Sequence, residues 1–103
     1  MSAKLVVLYN PPTDPSAFDA HYEAQHVPLV KAVPGLGSIT VSVGPVGTPD
    51  GPAPYHRVAT MTFASMADLQ AGLGSPEGGA AAEDLASFAT GGATMLVFDE
   101  VEL

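Results

Sequence analysis

The chain has 103 residues, 47% of them hydrophobic, and a formal net charge of −8, with Lys4, Lys31 and Arg57 set against 11 acidic side chains. That length suits a single domain over residues 1–103, with a core but little burial to spare, so a partner subunit is expected. Three cations cannot neutralise a run of phosphates, which argues against nucleic acid and anionic membrane surfaces as partners, and the absence of cysteine excludes disulfides, thiolate metal sites and thiol nucleophiles.

Leu5-Val6-Val7-Leu8-Tyr9, closed by Asn10-Pro11-Pro12, reads as a strand covered on both faces. It is too short for a signal-peptide core, and no segment approaches the roughly 20 apolar residues of a spanning helix, so a cytoplasmic protein is expected. Asp14 is a good helix N-cap and Pro15 suits the first helical position, which starts a helix running to about His26. Pro28 denies that helix a hydrogen bond at Ala24, so a kink or break is expected near Gln25 to Val27. Pro34-Gly35 and Gly37 end the segment. Ile39 to Val43 alternates apolar and polar residues as a strand does, and the glycines and prolines from Gly44 to Pro54 form a loop.

A second strand of this pair runs from about Tyr55 to Phe63, with Arg57, Ala59, Met61 and Phe63 on one face and His56, Val58, Thr60 and Thr62 on the other. Ser65-Met66-Ala67-Asp68 resembles a capping box ahead of a short helix with Met66, Leu69 and Leu73 as its stripe. Ser75-Pro76-Glu77 begins another, with Leu85 and Phe88 facing inward. Gly91-Gly92 breaks it, and a last apolar strand starts near Thr94. The order βαββαβ implies an α+β, ferredoxin-like fold, a four-stranded antiparallel sheet with its helices on one face. The opposite face is left bare and apolar, which predicts a homodimer packed sheet on sheet.

Chemistry concentrates between Phe18 and Leu36. With α-helical steps of about 100° from Phe18, Leu29 falls near 20°, Tyr22 near 40°, Val33 near 60° and His26 near 80°, at the margin of the buried stripe. His21 and His26 fall about 140° apart, and no HExxH is present, so a metal site is rejected. Among apolar walls, a histidine that titrates near neutrality can serve as acid or base on an enol, phenol or carbonyl, with the Tyr22 hydroxyl orienting the ligand. The same histidine can instead only cap free carbonyls at the helix end. Phe18, Leu29 and Met61 are candidate ligand walls, and Tyr9, Tyr55 and His56 are further candidates at strand ends. No GxGxxG, P-loop or Gly-x-Ser-x-Gly elbow occurs, and no cofactor is called for. Haem ligation by His26 would have only Arg57, Lys4 and Lys31 to hold propionates.

The strand-helix opening, Phe18, Tyr22, His26-Val27-Pro28-Leu29 and Pro34-Gly35 resemble the EthD family of the dimeric α+β barrel superfamily, and the element order extends the resemblance across essentially the whole chain. Two features depart from the family pattern: His21 and Glu23 flank Tyr22 where an adjacent aromatic is common, and the loop from Gly44 to Pro54 is rich in proline. The resemblance implies a barrel formed across a dimer, with a pocket in each subunit between helices and sheet. Related members of the superfamily include cofactor-independent monooxygenases, polyketide cyclases, muconolactone isomerases and haem-degrading enzymes, and fold kinship does not choose among them. Two readings stand beside each other. In one, the chain binds a small, apolar, oxygenated ligand and performs acid/base, oxidative or cyclase-type chemistry in catabolism or secondary metabolism. In the other, it is a non-catalytic binding or accessory module whose His26 is structural.

Overall fold

The computed structural model describes residues 1–103. Strand β1 (Ser2–Tyr9) is followed by helix α1 (Pro15–His21), a π-helical turn (Tyr22–His26) and helix α2 (Val27–Lys31). Strand β2 (Leu36–Val41) leads through a small hairpin, β3 (Gly47–Thr48) and β4 (Gly51–Pro52), into β5 (Arg57–Phe63). Helix α3 (Met66–Leu73), helix α4 (Pro76–Phe88) and strand β6 (Ala93–Glu100) complete the chain. The long strands form one antiparallel sheet in the order β2-β5-β1-β6. This is the ferredoxin-like arrangement that the element order implies.

Helix starts follow local chemistry. The side chains of Asp14, Ser65 and Ser75 accept the N–H groups of Ala17, Asp68 and Gly78 at 3.1, 3.1 and 3.0 Å, which satisfies donors that the first helical turn leaves free. Pro15 and Pro76 sit in those first turns, where proline's missing N–H costs nothing. The stretch from Gly44 to Pro54, expected as plain loop, holds the β3–β4 hairpin, with Thr48 opposite Gly51. Gly51 adopts a φ of 149°, a region open to glycine and closed to most side chains.

Of the kink or break expected near Gln25 to Val27, the break does not occur and the distortion takes the form of a π turn over Tyr22–His26. The helix instead widens: the N–H of Val27 bonds to the carbonyl of Tyr22, five residues back, and helical structure continues to Lys31. A proline crowds the carbonyl four residues before it, and a π turn accommodates it by placing an extra residue in the turn. Everything downstream is thereby rotated. Val30 and Val33 are buried and Leu29 is only partly so, so Val30 occupies the inward position that regular α-helical phase assigns to Leu29.

The molecule measures 35 × 34 × 17 Å, which is thick enough for one sheet and one helix layer and no third. Ala3, Leu5, Val7 and Tyr9 of β1 and Ala59, Met61 and Phe63 of β5 face the helices and are buried. Phe18, Phe63 and Leu69 are essentially sealed from solvent, each contributing about 1.5–3 kcal/mol by burial. On the other face Val6 lies opposite Leu96, and Leu8 lies between Val58 and Thr94. Leu96 and Phe98 there are 47% and 41% exposed. The edge strand β6 is also left uncovered on the helix side, where Met95 and Val97 stand in solvent.

Candidate functional site

Between the helix layer and the sheet lies a cavity of about 60 Å³. Leu5, Val7 and Tyr9 of β1, Met61 and Phe63 of β5 and Met95 of β6 form its floor; Val30, Val33, Ala81 and Leu85 roof it. Twelve of its 14 lining residues are hydrophobic, the other two being His26 and Gly78. Such a volume holds several waters or one molecule the size of a small ring. Met95 and Leu73, lining residues that are 48% and 40% exposed, mark its mouth at the uncovered edge.

His26 is 4% exposed, set into the cavity wall rather than at the margin expected of it. Its Nδ1 lies 3.0 Å from Oδ2 of Asp84 on α4, which leaves Nε2 as the nitrogen available to the cavity. His21, set apart from His26 by α-helical phase, meets the same carboxylate: its Nε2 is 2.9 and 3.0 Å from the two Asp84 oxygens. The π turn is the reason, because a five-residue spacing that diverges on an α-helix comes close to one turn of a π-helix, whose hydrogen bonds span five residues. That phase argument therefore no longer separates the two histidines, although no group of three or more His, Asp or Glu side chains is arranged to hold a metal ion.

Phe88 follows Asp84 by four residues on the same face of α4. Its ring lies between the imidazoles, 5.1 Å from His21 and 4.7 Å from His26. Asp84 is not among the residues that the sequence pattern singles out. The available signal was an acid set within the inward stripe of Ala81, Leu85 and Phe88.

The remaining candidates divide by location. Tyr9 and Met61 line the cavity with His26. Phe18 and Tyr22 sit outside that lining, stacked on each other at 5.7 Å and edge-on to Tyr9 at 5.2 and 5.7 Å. Tyr22 is 1% exposed, so it backs the site, and its hydroxyl, expected to orient a ligand, is not placed to do so in the cavity. Leu29 packs against the core away from the cavity. His56 precedes β5 and turns toward the helix layer rather than the bare face, with Nε2 2.9 Å from Asp19 Oδ1 and its ring edge-on to Phe18 at 4.8 Å. Tyr55 lies with Arg57 in a separate surface groove beside the hairpin. Arg57 pairs with Asp19 on α1 at 3.2 Å and lies 4.7 Å over the Tyr22 ring.

Burial pushes the Tyr22 phenol up to about 12, against the opposing pull of Arg57. Burial and then the proximity of Tyr22 push Tyr9 higher still. Both are neutral hydroxyls at physiological pH and unable to act as bases; Tyr9, which lines the cavity, is the one able to donate to a group held there. Burial holds His26 below the ordinary histidine value, although its hydrogen bond to Asp84 and the carboxylate charge pull the other way. For Asp84, burial favours the neutral acid, but hydrogen bonds from His21 and His26 outweigh it and keep the carboxyl below the usual carboxylate range.

These two shifts act on stability with one sign. Below an unfolded-state value of about 6.5 for histidine, the unfolded chain holds a proton that folded His26 has not yet taken up, so stability falls as pH falls across that interval. Protonation of Asp84, below about pH 4, removes a second contribution. The thermal midpoint is therefore expected to climb from pH 5 to pH 7 and then level, when followed by circular dichroism. A profile that is flat or falls over that range would mean that His26 is not held neutral.

The EthD domain family model matches residues 10–92. The chain is 42% identical over 98 residues to an uncharacterized 11.0 kDa protein in the thcB-thcC intergenic region of Rhodococcus erythropolis, covering 94% of this chain and 93% of that one. An ethyl tert-butyl ether degradation (EthD) family protein from Bacillus halodurans superposes with a TM-score of 0.88 at 34% identity, over 98% of this chain and 100% of that one. SnoaB, a cofactor-independent oxygenase from Streptomyces nogalater, shares the fold with a TM-score of 0.69 at 16% identity, over 99% and 95% of the two chains. By sequence and by structure, this chain belongs to the EthD family.

Proposed function

We propose that the cavity binds a small, neutral, largely apolar ligand bearing one acidic O–H or C–H group, and that His26 removes that proton. The observation that carries this reading is the setting of the imidazole: Nδ1 meets the Asp84 carboxylate, and the same side chain lines an apolar cavity with Nε2 free of any partner. Asp84 favours the tautomer with hydrogen on Nδ1 and would stabilise the imidazolium formed at Nε2, as the carboxylate does in hydrolytic triads. The Tyr9 hydroxyl can donate to the ligand oxygen, with Tyr22 packed behind it. Ligand charge is constrained too. No lysine or arginine lines the cavity, and Arg57 is engaged by Asp19, so a carboxylate or phosphate ligand would be desolvated without a partner.

Proton removal yields an enolate or phenolate, and the ligand's own structure then decides between isomerisation, ring closure and reaction with dioxygen. The SnoaB likeness supports the fold's capacity for the last of these and does not select it. The same reading makes the protein a homodimer joined through the bare sheet face, supported by the exposed Leu96 and Phe98.

Titrating ¹³C-histidine-labelled protein with neutral phenols and 1,3-diketones, and with carboxylates of equal size, tests the ligand class. Saturable shifts of the His26 ring signals are expected with the neutral compounds and not with the carboxylates. Compounds that bind and leave His26 unmoved would instead favour the non-catalytic module with a structural histidine.

A further inference from the structure

We propose that Asp84 and His21 are positioning residues for His26: the carboxylate, held from the solvent side by His21, fixes the cavity imidazole with hydrogen on Nδ1 and a bare Nε2. An ionised carboxylate only accepts hydrogen bonds, so each nitrogen that meets it must carry a hydrogen. Those nitrogens are His26 Nδ1 at 3.0 Å and His21 Nε2 at 2.9 and 3.0 Å. The side chain of Asp84 is 12% exposed and that of His21 is 21% exposed, so His21 closes the cluster toward solvent. Without it, Asp84 has one imidazole to hold it and an open side toward water. Phe88, packed against both rings, keeps the three groups in register.

This arrangement also couples the two histidines. One carboxylate can balance one imidazolium, so a second proton on the cluster meets repulsion from the first. The ionisable groups that bear on His26 are Asp84 from α4 and His21 from α1, and the nearby tyrosines stay neutral. His21 disfavours a charge on His26, so its removal should let His26 take up a proton at higher pH.

The proposal rests on reading His26 as the cavity base, but its test needs no ligand. In ¹⁵N-histidine-labelled wild-type protein at pH 7.5, two-bond nitrogen–proton spectra should show His26 Nδ1 protonated and Nε2 bare. In Asp84→Ala the ratio of that tautomer to the other should fall by about tenfold or more, the worth of a hydrogen bond to a charged group. His21→Ala leaves Asp84 in place and serves if Asp84→Ala fails to fold; it should lower the ratio and raise the pH at which His26 protonates. Hydrogen on Nε2 in the wild type would overturn the proposal. So would a tautomer ratio and titration unchanged by either substitution. An intact tautomer combined with no response of His26 to any neutral ligand would leave the positioning intact and sink the functional reading instead.

Discussion

Replacing His26 with alanine is expected to lower turnover of a phenolic or enolisable ligand by about 10²- to 10⁴-fold, the range supplied by a positioned acid or base, while the chain keeps its fold and its oligomeric state. His26 is 4% exposed and bonded to Asp84, so truncation has a structural cost. It opens a void beside Phe88 and leaves the carboxylate to His21 alone, together worth about 1–3 kcal/mol. A domain of ordinary stability, about 5–15 kcal/mol, absorbs that. His26→Gln separates packing from proton transfer. Its amide nearly fills the space and can donate to Asp84, but it is no base, so it should fold like the wild type and be as inactive as the alanine variant. Circular dichroism and light scattering report the fold, and initial rates report the chemistry. Wild-type rates in either variant would reduce His26 to a structural residue. Rates kept by the glutamine variant alone would say that shape and hydrogen bonding, and not basicity, are what the cavity requires.

How much of this site the amino-acid sequence discloses depends on one turn of helix. The strand patterns, the caps at Asp14, Ser65 and Ser75 and the breakers between elements lead directly to the observed fold, because each is a local preference that the tertiary structure agrees with. The position of His26 is a different problem. Its α-helical phase puts it at the margin of the stripe and turns His21 away. Both inferences fail because Pro28 is met by a widened turn rather than a break. Helical periodicity assumes one hydrogen-bond spacing throughout, and a single five-residue turn shifts every later residue. Val30 takes the place expected of Leu29 for the same reason. Asp84 is obscured differently: its place on the inward stripe, one turn before Phe88, is a local mark, but its partner His26 lies 58 residues away, and nothing local in an alanine-rich helix names that partner. The candidates at strand ends, Tyr55 and His56, failed to reach the cavity because the strand starts at Arg57 and the preceding residues turn across the sheet's end.

The bare face of the sheet carries the other strong expectation: Leu96→Asp should convert a dimer into a monomer. Leu96 lies opposite Val6, and Phe98 opposite Lys4, so the centre of this face is apolar and its end is polar. Lys4 does not forbid burial of the face. Its ammonium lies 3.3 Å from Glu100 and 2.7 Å from the Thr62 hydroxyl, so its charge is partnered within the chain. Thr60 and Thr62 extend the face toward β2 with hydroxyls that tolerate a wet rim. A two-fold interface presents each residue twice, so Leu96→Asp would bury two unpaired carboxylates. At about 3 kcal/mol each, that is about 6 kcal/mol, or on the order of 10⁴-fold in the dissociation constant. Sedimentation or light scattering at micromolar concentration reads the result. A wild-type monomer under those conditions would remove the premise, and a variant that remains dimeric would move the interface elsewhere. Exposed Met95 and Val97, on the helix side of the same strand, would then be the face to examine. Met95 borders the mouth of the cavity that holds His26, so an interface there would place a second copy of the chain beside the ligand's entrance.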